Sequence, residues 1–457
     1  ADEHLAGAAP ERGSELCAVV ESMRSLAAVY AARPSEPALV DSLERLAFNA
    51  LPAATSDDHW AHQYLMQTNA VFAGLERPLA TKASAHGGAW HQGSSDAEPE
   101  VLLSPTFGNT GIDATAYGLA PNFPCCTVNF LQGWPKLLAL GAWLWDDGAR
   151  AQGLRETPVF LSAAFLPSRF EIPLGGYVEL LTDYPIAGPD VPLHYSFRDV
   201  RVPLTLSVRI PTWADLAASE VSGPDLTRQA VGEAADASGG RPSVLLIQVR
   251  TLGASDWEVR FRPRWRLWHR PPWGGGLVLG PLVFVLPLDH HTVEIPPEDP
   301  ALSRTFPKEV RDEELFASDT FAWAYALLLN ASEKLEDAVD LLSARGSDSS
   351  AVSLGFASDL TACPLVARVA AAEWPQWREL SGDVGMKADS GQPWLSLRLP
   401  ALPARSPIHA SLPGLGSMKQ LMLRPFGCTK LRMAQIPVVV SGLPERTVVH
   451  ADLSICF

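Results

Sequence analysis

The hydrophobic period of this sequence changes close to residue 150. Before that point, apolar residues recur every three or four positions, as on one face of an α-helix. After it, apolar and polar residues alternate, most clearly in VRVPLTLSVRI over residues 200–210. A period of two is typical of a β-strand that buries one face. The sequence therefore predicts a helical part followed by a β-rich part, with a half-buried strand at 200–210.

Three segments of the first part predict helices. GSELCAVVESMRSLAAVYAA carries an apolar stripe of helical spacing, and Ser14 is a candidate N-cap. LVDSLERLAFNALPAA carries a second stripe that stops near Pro52. LLALGAWLW, over residues 137–145, is apolar all round and predicts a buried helix.

The remaining two thirds of the chain predict strands, separated by Pro and Gly as in an antiparallel sandwich. One segment departs from this pattern, because Phe316 to Leu342 is helical by propensity. We expect three units, with bounds 1–148, 149–275 and 276–457. Besides residues 200–210, the predicted strand segments are SVLLIQVR, DWEVRFRPRW, LVLGPLVFVLPL, WLSLRLP and IPVVVSGL.

The acidic charge of the chain bears on whether it binds nucleic acid or membranes. A formal net charge of -15 and a pI near 5.2 argue against nucleic acid and anionic membrane, because both require a basic face. No apolar run reaches the ~18 residues that indicate a membrane span. The sequence begins at Ala1 without a signal-peptide pattern. We therefore expect either a processed chain or one that begins partway through a longer protein, and the pattern favours no cellular compartment.

Two of the six cysteines are adjacent, at positions 125 and 126. Neighbouring cysteines make a strained disulfide, so these two must bond elsewhere, bind metal, react or lie buried. Cys17 and Glu15 stand at the start of a predicted helix, where backbone N–H groups favour thiolate and carboxylate. Three thiolates and one carboxylate can form a tetrahedral zinc shell, although no CxxC pair is present. Buried free thiols are the alternative, and we expect the remaining cysteines, Cys363, Cys428 and Cys456, to be buried or free.

Glu-Leu-Cys at the head of a helix, followed much later by Cys-Cys-Thr-Val-Asn, resembles glycoside hydrolase family 127, the β-L-arabinofuranosidases and their relatives. The resemblance implies an (α/α)6 barrel followed by β-sandwich domains. Residues 1–148 would then be the C-terminal part of the barrel, without its N-terminal half, residues 149–275 a middle sandwich and residues 276–457 a C-terminal β domain. Blocks in family order are DEHLAGAAPERGSELC, LERLAFNALPA, WAHQYLMQTN, YGLAPNFPCCTVNFLQGWPK, VRIPTWA, LVLGPLVFVL and LRPFGCTKLRM.

The resemblance also implies roles for individual residues. It makes Cys125 the nucleophile of a retaining glycosidase and Glu3 its acid/base, with Asp2 as the rival candidate. The implied substrate is a plant-type glycan with a terminal β-L-arabinofuranose or a similar sugar. The alternative is an inactive fragment with a structural zinc site that at most binds carbohydrate. The implied ligands of the zinc ion (Zn2+) are Glu15, Cys17, Cys125 and Cys126.

Three further polar residues are candidates for substrate binding. Glu44 could contact substrate or hold an arginine, and the sequence leaves both open. His62 and Gln63 could donate hydrogen bonds to sugar hydroxyls, with a structural histidine as the alternative.

Asn330-Ala331-Ser332 is a glycosylation triplet.

Overall fold

The computed structural model describes residues 10, 13–75, 113–146, 158–185, 188–224, 226–234, 241–269, 274–296, 305–318, 323–343, 363, 365–375, 408–409, 412 and 414–442. Helices lie in the first third and strands dominate the rest, which confirms the change of period near residue 150. Four of the sequence predictions fall outside these residues: Asp2, Glu3, Cys456 and the strand WLSLRLP. No helix in the described ranges is long and apolar enough to cross a membrane.

The first third combines helices with short strands. Its long helix buries the predicted stripe, apart from partly exposed Leu26, but it begins at Leu16 and not after Ser14. Ser14 lies in a strand that pairs with Met66, and the following residue, Glu15, occupies the N-cap position. The elements are β1 Gly13–Glu15, α1 Leu16–Ala32, α2 Pro37–Arg45, a π-turn Leu46–Ala50, α3 Leu51–Ala53, β2 Leu65–Gln67, β3 Asn69–Ala70, β4 Phe72–Ala73, α4 Cys125–Asn129, a 3-10 turn Phe130–Gln132 and α5 Gly133–Gly141.

The predicted buried helix at 137–145 is wrong in two respects. Helix α5 ends at Gly141, and Trp143–Asp146 forms a strand, β5. This strand pairs in antiparallel direction with the strand Val159–Ser162. The helix is also not buried all round, because Leu138 and Leu140 are 47% and 43% exposed. Among the described residues, nothing covers that side of α5.

The strands that follow belong mainly to three sheets. They are β6 Val159–Ser162, β7 Ser168–Glu171, β8 Tyr177–Leu181, β9 Val191–Val200, β10 Leu204–Arg209, β11 Glu220–Gly223, β12 Leu226–Ala230, β13 Val244–Val249, β14 Gly253–Phe261, β15 Trp265–His269, β16 Gly275–Leu279, β17 Leu282–Pro287, β18 His290–Ile295, β19 Asp312–Ala317, β20 Tyr325–Asn330, β21 Val339–Ser343, β22 Leu365–Glu373, β23 Ile408–His409, β24 Met418–Pro425, β25 Arg432–Met433 and β26 Val438–Ser441. Short helices α6 Val231–Ala234 and α7 Leu335–Ala338 and a 3-10 turn Phe426–Cys428 interrupt them.

Two of these sheets form a sandwich. The four-stranded sheet, in the order β13-β10-β6-β5, packs on the six-stranded sheet β12-β11-β14-β9-β8-β7. Phe160 of β6 meets Phe197 of β9 with ring centroids 6.1 Å apart. The predicted half-buried strand at 200–210 is wrong in its extent and its burial. Val200 ends β9, and all six residues of β10 are buried, including Arg209, which pairs with Asp41 of α2.

The third sheet is C-terminal and includes most of the segment 316–342. The helical prediction for that segment is therefore wrong. The described residues of that segment form the end of β19, all of β20 and most of β21, and only four of them, those of α7, are helical. Residues of β20 pair with β22 and β26, and β21 also pairs with β22. Backbone hydrogen bonds to these partners override the local propensity.

A disulfide joins Cys363 to Cys428 in this last sheet, with the two Cα atoms 6.1 Å apart. The sequence prediction that these two residues are buried or free therefore holds for their burial, whereas neither has a free thiol. Both are fully buried, and the bond ties the chain before β22 to the turn that follows β24.

Candidate metal centre

The structure brings Glu15, Cys17, Cys125 and Cys126 together. Glu15 ends β1 and is the N-cap of α1, so that Cys17 lies in the first turn of that helix. The pairing of Glu15 with Leu65 and a hydrogen bond from the amide of Leu16 to Tyr64 fix this helix start. The cysteine doublet opens α4, so the cluster lies where two helices begin.

The distances within the cluster fit a tetrahedral metal site. Cys17 Sγ lies 3.3 Å from Cys126 Sγ, and Cys125 Sγ lies 3.9 Å from Cys126 Sγ. Glu15 Oε1 lies 3.6 Å from Cys125 Sγ, and all four ligand atoms are within 4.8 Å of one another. Zn–S bonds of about 2.3 Å place two tetrahedral sulfurs roughly 3.8 Å apart. The donor set and its spacing therefore suit a thiophilic cation such as Zn2+.

The protonation of the thiols depends on a cation. Burial raises the pKa of Cys125 to about 12, and the neighbouring Cys17 contributes to the increase. Burial also raises the pKa of Cys126. Without a positive charge these groups remain thiols at neutral pH, whereas a metal ion binds thiolates and releases protons on binding. The two sulfurs of the doublet also differ in access, because Cys126 is fully buried and Cys125 is partly exposed.

We expect the purified protein to carry about one zinc per chain, because one set of four ligands is present. Metal analysis by mass spectrometry, on protein prepared without chelator, measures this ratio. Cys17→Ser should lower it, whereas Cys363→Ser, at the buried disulfide, should leave it unchanged in any folded material. A metal-free wild type in zinc-supplemented buffer would contradict the assignment.

The structure places His62 and Gln63 beside the cluster rather than in it. His62 is 1% exposed, and its Nε2 lies 3.1 Å from the hydroxyl of Thr127, one residue after the cysteine doublet. Its Nδ1 lies 3.2 Å from the carbonyl of Gln63. Gln63 is buried as well and donates from Nε2 to the carbonyl of Thr115 at 2.6 Å. These contacts position α4, and binding of substrate by either residue stays a prediction.

Burial lowers the pKa of His62 below its ordinary value. The unfolded chain therefore takes up a proton at a higher pH than the folded chain, and stability present near pH 7 is lost as the pH falls below about 6.5. His62→Gln should flatten this part of the stability curve. Denaturant titrations of both proteins between pH 5 and 8 measure the difference, and parallel curves would contradict the expectation.

Glu44 binds an arginine, which is one of the two roles that the sequence left open. It is fully buried, and Oε2 accepts hydrogen bonds from Arg209 at 2.7 Å and from the hydroxyl of Tyr184 at 2.6 Å. Its Oε1 accepts from the amide of Phe165 at 3.0 Å. Asp41, one turn earlier, binds the same guanidinium. The sequence analysis missed Asp41, Arg209 and Tyr184, and the signal available was a pair of carboxylates among the apolar positions of α2.

Thr127 was also missed as a residue that positions the site. Its hydroxyl donates to the carbonyl of Leu119 at 2.6 Å and meets His62, so it links α4 to two neighbouring loops. Its place directly after the cysteine doublet was the available signal.

Comparison with solved structures finds glycoside hydrolases among the proteins of similar fold. A GH127 β-arabinofuranosidase is similar over 94% of this chain and 51% of its own, with 13% identity and a TM-score of 0.52. A GH127 β-L-arabinofuranosidase from Geobacillus stearothermophilus T6 is similar over 94% and 51%, with 12% identity and a TM-score of 0.48. A third neighbour, a glycoside hydrolase, has 10% identity and a TM-score of 0.45.

The chain spans about half the length of the solved structures that it matches. At these identities the likeness concerns the fold, which is a multidomain α+β fold like that of the GH127 β-arabinofuranosidase. No protein-family model matches the chain, and no curated protein matches it significantly.

Proposed function

We propose that this chain carries the metal-bound thiol of a retaining glycoside hydrolase, acting on terminal β-L-arabinofuranose or a similar sugar of plant-type glycans. The observation that carries the proposal is the convergence of three thiols and one carboxylate in a chain folded like a GH127 β-arabinofuranosidase. A soft metal cluster at two helix starts, in which Cys17 and Cys125 are partly exposed, suits nucleophilic chemistry as well as structure.

Cys125 is the proposed nucleophile because it is the partly exposed member of the doublet. Zinc, when bound, would keep its sulfur ionised at neutral pH. The thiolate attacks the anomeric carbon and the bond to the leaving oxygen breaks, while an acid gives that oxygen a proton. Water then displaces the sulfur with the same group acting as base, and the anomeric configuration is retained. Glu3 is proposed as this acid/base, with Asp2 as the alternative.

Cys126, Cys17 and Glu15 are proposed as the permanent ligands. Cys126 is fully buried, and its sulfur lies against that of Cys17, so neither a sugar nor water reaches it directly. Glu15 is 6% exposed and lies beside the sulfur of Cys125. Its carboxylate would complete the ligand set and help to balance the charge of a bound cation.

We also propose that helices outside the described residues complete the catalytic barrel. Val128 of α4, Leu131 of the 3-10 turn and Leu138 of α5 are 69%, 63% and 47% exposed. Neighbouring apolar residues of the same segment, Phe130 and Leu137, are buried. A helix that is apolar on both sides belongs in an interior. The half of the neighbour's length that this chain does not match is the proposed source of the cover.

The second candidate function is a structural zinc site without catalysis, and the same exposed stripe favours it for this chain alone. Metal content does not distinguish the two, because both bind zinc. Turnover of a chromogenic β-L-arabinofuranoside does, together with mass spectrometry of the Cys125 peptide after rapid quenching. A sugar adduct on Cys125 that is absent from Cys125→Ser supports the enzyme. Zinc-loaded protein that shows neither turnover nor adduct, even with the complete barrel supplied, supports the structural site.

A further inference from the structure

Asn330 ends β20, and the residues that follow it form an exposed turn before α7. Asn330, Ala331 and Ser332 are all exposed, so the whole acceptor triplet Asn-x-Ser is accessible on one turn. It is the single triplet of this kind in the sequence. Accessibility at a strand end is what such a modification requires, because a glycan cannot be accommodated in a packed interior.

The hydrogen bonds within this triplet leave the reactive atom available. Ser332 donates to Oδ1 of Asn330 from its backbone nitrogen at 3.0 Å and from its hydroxyl at 2.9 Å. This is an Asx-turn, in which both donors polarise the amide carbonyl and make the amide nitrogen more easily deprotonated. Within the described part of the chain, no group accepts a hydrogen bond from Nδ2 of Asn330.

The disulfide in the same sheet indicates the compartment in which such a modification occurs. Cys363 and Cys428 are bonded to each other beside β22 and β24, and β22 pairs directly with β20. Disulfides of this structural kind form and persist in oxidising compartments, which include the lumen where asparagine is glycosylated. The thiols of the metal cluster survive there when a metal ion occupies them, because the coordinated thiolates are not free to oxidise.

We propose that Asn330 is an N-glycosylation site, modified when the chain passes through a secretory compartment. The sugar donor is a lipid-pyrophosphate-linked oligosaccharide, and a membrane transferase is the catalyst. Nδ2 forms a bond to the anomeric carbon of the first sugar while the bond from that carbon to the pyrophosphate oxygen breaks. The lipid pyrophosphate leaves, and the amide loses one proton. The glycan then projects from the exposed β20–α7 turn.

The test is translation of the full chain, fused to a cleavable secretion signal, in the presence of microsomes. Protease-protected chains are counted whether or not they fold, so retention in the lumen does not obscure the result. The wild type should shift to a higher mass, and a glycan-releasing amidase should reverse the shift and leave aspartate at position 330. Asn330→Gln and Ser332→Ala should lose the shift completely, whereas Ser332→Thr should keep it.

A protected, unshifted wild type would overturn the proposal, as would a shift that persists in Asn330→Gln. The proposal does not depend on the glycosidase function, because the modification is read out by mass alone. Chains translated without microsomes provide the unmodified reference.

Discussion

Replacing Arg209 with methionine is expected to lower the free energy of unfolding by about 3–5 kcal/mol, the usual cost of removing one partner from a buried ion pair. The guanidinium is fully buried between Asp41 and Glu44, and its Nε donates to the carbonyl of Ala163 at 2.7 Å. Methionine fills a similar volume but leaves two carboxylates buried without a cation. The loss should exceed that of any exposed charge, because water cannot solvate what remains.

Denaturant midpoints measure this loss, and Arg368→Met is the matched control. Arg368 also lies on a strand and pairs with Asp340, but the two side chains are 46% and 58% exposed. The control should change stability by less than about 0.5 kcal/mol. Adding Glu44→Gln to Arg209→Met should restore part of the loss, since it removes one unpaired charge. Equal effects of the two arginine replacements would mean that water reaches the Arg209 site.

The strand that contains Arg209 shows what an alternating sequence pattern can predict and what it cannot. Strict alternation predicted the strand correctly at 204–209, because a period of two is a backbone property that each strand carries in its own sequence. Burial of its polar face was not predictable in this way. The carboxylate of Asp41 that neutralises Arg209 lies 168 positions earlier, and nothing in a local pattern reports so distant a partner.

In the segment from Phe316 to Leu342, local helix propensity predicted the wrong secondary structure. Its alanines and leucines favour a helix, yet Leu327 to Asn330 pair with the strand Val438 to Ser441. Helix propensity is a fraction of a kcal/mol per residue, whereas an unpaired β26 and β22 would leave buried backbone groups without partners. Distant strands therefore decided the local structure.

The candidate site was predicted better than the disulfide, for a physical reason. Adjacent cysteines exclude a bond with each other, and a thiol at a helix start is suited to ionisation, so Cys17, Cys125 and Cys126 carried chemical information in their positions. Cys363 and Cys428 carried none, because pairing between widely spaced cysteines cannot be deduced from sequence.

The last prediction separates the two sulfurs of the doublet, in a protein that contains the complete catalytic domain. Cys125→Ser should lower activity by several orders of magnitude, roughly as when covalent nucleophiles are removed elsewhere, while much of the zinc stays on the other three ligands. Cys126→Ser removes a buried, permanent ligand, so zinc affinity should fall and activity should follow metal occupancy. Metal analysis and turnover, measured on the same samples, provide both quantities.

Excess zinc then decides between nucleophile and ligand. It should restore part of the activity of Cys126→Ser, because occupancy rises with metal concentration, and none of that of Cys125→Ser, because a serine hydroxyl is not ionised near neutral pH as a thiolate is. Equal rescue of both variants would mean that the doublet only holds the metal. The nucleophile would then have to be sought elsewhere, with Glu15 first in line, because its carboxylate oxygen lies 3.6 Å from the sulfur of Cys125.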